Sequence, residues 1–205
     1  MPYGYLGQNQ PNQTVSNSGV FSITDVAELQ SQGKLGGSLE LIEEQTVSGV
    51  TQADFTSIKQ SVYDVHFLSC SVEQSGSTTN ALMVRIGNVS GIHTTGYQRA
   101  NQYFAPNGSF GEQRSTSIVN IADFGYTGTG NKNFYMYFYN AGNSSKYTFV
   151  TNHTFGKHPT TDFTGYFGGG VYPTAEETTQ IRVYVGAGTM TGTIKLYGVK
   201  QIWVT

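Results

Sequence analysis

The chain has 205 residues and a formal net charge of -2, and only 12% of its residues are charged, against about 25% in an ordinary soluble domain. Its 11 Lys and Arg are scattered, so there is no basic stripe of the kind that nucleic-acid binding requires. The single cysteine, Cys70, excludes an intramolecular disulfide and a cysteine zinc cluster.

The first 19 residues read MPYGYLGQNQPNQTVSNSG, which is polar, amide-rich and nearly uncharged. They carry three anchor-like apolar side chains, Tyr3, Tyr5 and Leu6. Such a segment cannot by itself bury enough surface to offset the entropy of ordering it. It is ordered only when its own domain or a neighbour holds it. The expectation is an extended docking arm over residues 1–20 that contacts another polypeptide through these anchors. The stretch lacks the basic and apolar regions of a secretory signal. No apolar run approaches the roughly 20 residues of a transmembrane helix, so no membrane partner is expected.

One short helix is predicted within residues 21–36. Ser22 and Thr24 are N-cap candidates, Asp25 suits the first turn, and Gly33 suits the residue after the C-terminus. Val26 and Leu29 fall on one face. A helix of about two turns does not stand alone, so these two residues are expected to dock it on the body or on a neighbouring subunit.

From residue 37 to 205 the apolar period is two, and glycine, tyrosine and phenylalanine are abundant (26, 14 and 12 residues), as in sheet with many turns. SLELIEEQTV places Leu39 and Leu41 on one face. In SVYDVHFLSCSV, Tyr63, Val65 and Phe67 share a face before Leu68, Cys70 and Val72 take over. A β-bulge or burial on both faces explains that change of phase. ALMVRIG follows. Further strands are predicted around Gly96–Phe104, Arg114–Ile121, Asn133–Tyr139, Lys146–Phe155 and Phe163–Val171. TQIRVYVGA turns Ile181, Val183 and Val185 inward. The last strand places Ile194, Leu196 and Tyr197 near the core and re-phases through Gly198. Turn pairs such as Asn107-Gly108 and Gly142-Asn143 separate these runs. The fold class expected is all-β: an antiparallel β-sandwich of jelly-roll type with an N-terminal arm and one short helix.

The chemistry-bearing residues form no motif. His66, His93, His153 and His158 lack ligand spacing, and the last two would face opposite sides of a strand. Glu43 and Glu44 are adjacent, so their carboxylates diverge on a strand. Asp162 and Glu176-Glu177 lack the dense oxygen run of a calcium loop. FGGGVYP, Phe167–Pro173, lacks the lysine of a phosphate loop and reads as a flexible loop. No catalytic residue, metal or cofactor is expected. The notable surface feature is FYMYFY, Phe134–Tyr139. If the strand is regular, Tyr135, Tyr137 and Tyr139 face away from the core, either into contact with a neighbour or as a face that stacks on sugar rings.

The ending GTIKLYGVK resembles the closing strand of jelly-roll domains in tailed-phage virion proteins. The opening GYLGQNQPNQTVSNSGVFSITDV resembles the N-terminal arm of small structural proteins of marine, including cyanobacterial, tailed phages. GSLELIEEQTVSGVTQADFTSI and YFYNAGNSSKYTF are similar to the same group. The resemblance implies a non-enzymatic virion protein, and a capsid decoration or cement protein is the role expected. The alternative is a receptor- or glycan-binding module of a tail or head fibre. The implied partners are a major capsid protein or tail and fibre proteins, further copies in a homotrimer, and a host surface glycan in the alternative. The assembly contacts expected are Tyr3, Tyr5, Leu6, Val26, Leu29, Tyr135, Tyr137 and Tyr139.

Overall fold

The computed structural model describes residues 23, 24, 27, 39–76, 81–124, 129–157 and 163–200. The chain divides into two units at the Ser38–Leu39 junction. In the first unit Ile23, Thr24 and Ala27 have helical backbone and are exposed. Tyr3, Tyr5, Leu6, Val26 and Leu29 lie outside the described residues.

The second unit is all-β. Its strands are β1 (Leu39–Val50), β2 (Gln52–Phe55), β3 (Val65–Ser75), β4 (Leu82–Asn88), β5 (Gly91–Ile92), β6 (Tyr97–Phe104) and β7 (Phe110–Ile118). They continue as β8 (Ala122–Asp123), β9 (Gly130–Tyr139), β10 (Thr148–Gly156), β11 (Thr164–Tyr172), β12 (Gln180–Val185) and β13 (Thr189–Val199). A large sheet runs β1-β13-β3-β9-β10-β11-β6-β7 and a small one β2-β12-β4-β5, with β8 also on β4. All pairings are antiparallel. The chain folds back across both sheets in parallel steps. β13 lies between β1 and β3 while β12 lies between β2 and β4; β9 then follows β3 and β8 follows β4.

The two sheets pack face to face because each offers one apolar face. From the large sheet come Leu68, Cys70, Met136, Phe138, Ile194 and Leu196. From the small sheet come Phe55, Leu82, Val84, Ile86, Ile181 and Val183. All are buried. The segment before β9 adds Phe124, stacked on Phe134 with centroids 4.1 Å apart.

Several expectations need correction. β3 holds one register with both neighbours through Phe67 and Leu68, so no bulge occurs there. His66, Leu68, Cys70 and Val72 are its core face, and Val65 and Phe67 are half-buried on the other. Leu39 and Leu41 do share a face, but it is the exposed one. Ile42, next to outward Leu41, packs against the core by ordinary alternation, and a register shift follows between Leu41 and Glu43. Gly198 does not re-phase the last strand: it continues the inward series of Ile194 and Leu196, and the Tyr63 ring occupies the space where its side chain would stand. Tyr197, between Leu196 and Gly198, is therefore on the other face. Phe167–Tyr172 belongs to β11 and is not a loop. The short strands β2, β5 and β8 were not predicted.

Candidate functional site

The face of the large sheet turned away from the small sheet is the distinctive surface. Its composition follows from register. One cross-strand row contains Leu41, Tyr197, Phe67 and Tyr137 on β1, β13, β3 and β9. The same row continues as Thr151, Gly169, Ala100 and Arg114 on β10, β11, β6 and β7. The row changes character halfway, from bulky and apolar to small and then charged.

In the first half the rings touch. Phe67 lies 4.9 Å from Tyr137 and 6.0 Å from Tyr197, centroid to centroid. Tyr137 stacks on Tyr139 at 6.3 Å. Leu39 and Leu41 extend the patch to the sheet edge and are 39% and 49% exposed. Phe67, Tyr137 and Tyr197 beside them are half-buried. Lys195, two residues before Tyr197 on the same strand, pairs with Glu44 at 3.1 Å and borders the patch.

In the second half the row is low. A Cβ at Gly169 would meet the carbonyl oxygen of Val150 at 2.5 Å, so the close approach of β10 keeps this position bare. Thr151 and Ala100 flank it. The adjacent row stands higher: Tyr135, His153 and Phe167 are register partners. The Tyr135 hydroxyl hydrogen-bonds His153 Nδ1 at 2.9 Å, and the two rings meet edge to face. A depression of about 700 Å³ lies among Tyr135, Tyr137, Thr151, His153 and Phe167. A second, of about 580 Å³, lies over Gly169, Ala100, Gln98 and Arg114. A third, of about 380 Å³, includes Phe167, Ala100 and Arg114 and so connects them.

Of the residues predicted from sequence, Tyr135, Tyr137 and Tyr139 stand together on this face, while Phe134, Met136 and Phe138 are buried on the other. Thr151, Gly169, Ala100, Phe167 and Arg114 were not predicted. They come from four strands separated in sequence, and only the register brings them onto two adjoining rows.

Several other described titratable groups pair within the fold. Glu44 pairs with Lys195, whereas Glu43 accepts from Gln45 Nε2 at 2.7 Å. His66 is buried with Nε2 2.7 Å from the Ile58 carbonyl, and burial pushes its pKa down. The His93 ring pairs with Glu176 and stacks on Tyr172 at 4.3 Å. Glu176 also accepts from Asn88 Nδ2 at 2.9 Å, so it ties the segment before β12 to the end of β4. Arg99 pairs with Asp123 at 2.9 Å. Burial pushes the Cys70 thiol up and keeps it protonated. His158 and Asp162 lie outside the described residues. Among the described residues no three His, Cys, Asp or Glu side chains cluster as metal ligands.

Comparison with protein families, with characterised proteins and with solved structures finds no match for this chain.

Proposed function

We propose that this chain is a non-enzymatic structural protein of a tailed-phage virion. In this reading it is a decoration or cement subunit that packs against neighbours through the apolar half of its large sheet. The observation that carries the reading is the continuous row Leu41, Tyr197, Phe67 and Tyr137 on a face that a solitary sandwich leaves to water. The strand order supports a jelly roll: β1-β13-β3-β9 and β2-β12-β4-β8 are two four-stranded sheets of the double Greek-key pattern common in capsid and lectin domains. β6, β7, β10 and β11 are then insertions that widen the large sheet, and β5 adds a short strand to the small one. Closed symmetry is the usual solution for a self-complementary surface, and the assembly proposed is a homotrimer. Residues 1–20 act as an arm that docks on a partner through Tyr3, Tyr5 and Leu6.

Peptide mapping of purified particles made from the genome that encodes this chain tests the reading. The chain is expected in many copies per particle. Its absence from particles while it accumulates in infected cells overturns the proposal.

A second reading is favoured by one observation. The other half of the same face is a low, mixed aromatic and polar channel, a shape that suits a ligand better than a flat subunit contact. It corresponds to attachment to a glycan.

A further inference from the structure

We infer that the channel running from Tyr137 on β9 to Arg114 on β7 binds a linear, uncharged polysaccharide, an inference that rests on the second reading above. Thr151, Gly169 and Ala100 make its floor. Four strand spacings of about 4.8 Å give it a length of about 19 Å. Side chains two positions away along each strand rise on either side, about 7 Å from the floor line. The result is a straight, open-ended channel and not a closed pocket, and that shape admits a segment of a longer polymer.

The lining selects the chemistry. At one end Tyr135, Tyr137 and Phe167 offer ring faces and edges to the C–H face of a pyranose. Toward the other end Gln98 and Gln102 are exposed amides that donate to and accept from hydroxyls. The charges cancel: Arg114 lies 3.4 Å from Glu112, and both are exposed. Aromatic rings beside a positive groove would suit single-stranded nucleic acid. This channel has no net positive charge to follow a phosphate backbone, and no such charge to favour an acidic glycan over a neutral one. An apolar peptide would leave the amides and the Tyr135–His153 pair without equivalent partners.

Binding of maltohexaose, cellohexaose, mannohexaose and chitohexaose to the full chain, measured by titration calorimetry with heparin as the anionic comparison, tests the inference. At least one neutral hexasaccharide should bind and heparin should not bind more tightly. Ala100→Trp fills the floor from an exposed position, and Tyr135→Ala removes an exposed ring. Each should weaken binding about tenfold or more, equivalent to about 1.4 kcal/mol. Ser71→Trp, outward on β3 and away from the channel, should leave binding unchanged. The inference is overturned if none of the four sugars binds at millimolar concentration, if heparin binds more tightly, or if the channel variants bind as the unmodified chain does. Light scattering on the same samples separates this from the assembly reading: altered mass with unaltered sugar binding removes the channel and leaves the subunit contact.

Discussion

Replacing Tyr97 by phenylalanine removes one oxygen from the middle of the small sheet. β4 is paired along one side by β12, but on its other side β8 covers Met83 and Val84 and β5 covers Gly87 and Asn88. Ile86 falls in the gap. The fully buried Tyr97 hydroxyl fills it, accepting from the Ile86 amide at 3.1 Å and lying 2.8 Å from the Ile86 carbonyl. After the substitution the carbonyl keeps the His93 amide at 3.0 Å, but the Ile86 N–H loses its acceptor. A buried donor left unpaired costs about 1–3 kcal/mol. At roughly 2–4 °C per kcal/mol for a chain of this size, a loss of about 2 kcal/mol lowers Tm by about 4–8 °C. Tyr135→Phe, which removes an exposed hydroxyl, should change stability by less than about 0.5 kcal/mol. Urea denaturation and thermal melting followed by circular dichroism measure both. Equal stabilities for the two variants would refute the argument that the Tyr97 hydroxyl substitutes for a missing strand.

Burial lowers the His66 pKa from 6.5. Below pH 6.5 the unfolded chain therefore binds a proton that the folded chain resists, and stability should fall as the medium is acidified. His66→Gln should flatten the denaturation free energy between pH 6.5 and 5 relative to the unmodified chain. Burial, and secondly the charge of Lys157, lower the Lys132 pKa to about 8 from 10.5. Here the unfolded state holds the extra proton between those values, so this residue's contribution improves as pH rises. The stability of the unmodified chain relative to Lys132→Met should therefore rise from pH 8 to 10.5, which a urea series at each pH would show. Gly198→Val should destabilise by about 1–3 kcal/mol through overpacking, since a Cβ there would lie 2.3 Å from the Tyr63 ring. An unchanged urea midpoint would mean that the ring moves aside freely.

The parts of the fold that were legible in the sequence are those in which local pattern and tertiary burial agree. Ile181, Val183 and Val185 alternate strictly and are all buried, and so are Phe134, Met136 and Phe138. Where both faces of a strand carry apolar residues, alternation cannot say which face is inner. Leu39 and Leu41 share a face as expected, but the pattern does not say that it is the exposed one, with Ile42 on the core side. β5 and β8 have two residues each, too few to carry a period. The glycines of Phe167–Tyr172 signalled a loop, although in β11 they are places where neighbouring backbone leaves no room for a side chain. The outward tyrosines of β9 were legible, whereas the channel beside them was not. Its floor joins residues 100, 114, 151 and 169, and only non-local strand pairing aligns them.

Sedimentation velocity of the full chain tests the central claim most directly, with Leu41→Glu/Phe67→Glu run in parallel. Both substituted side chains point outward from the large sheet, so the circular dichroism spectrum should be preserved. The account predicts a concentration-dependent shift of the unmodified chain to a trimer at tens of micromolar and a monomer throughout for the doubly substituted chain. A monomer in both cases, or an oligomer that survives two charges in the apolar row, would contradict it.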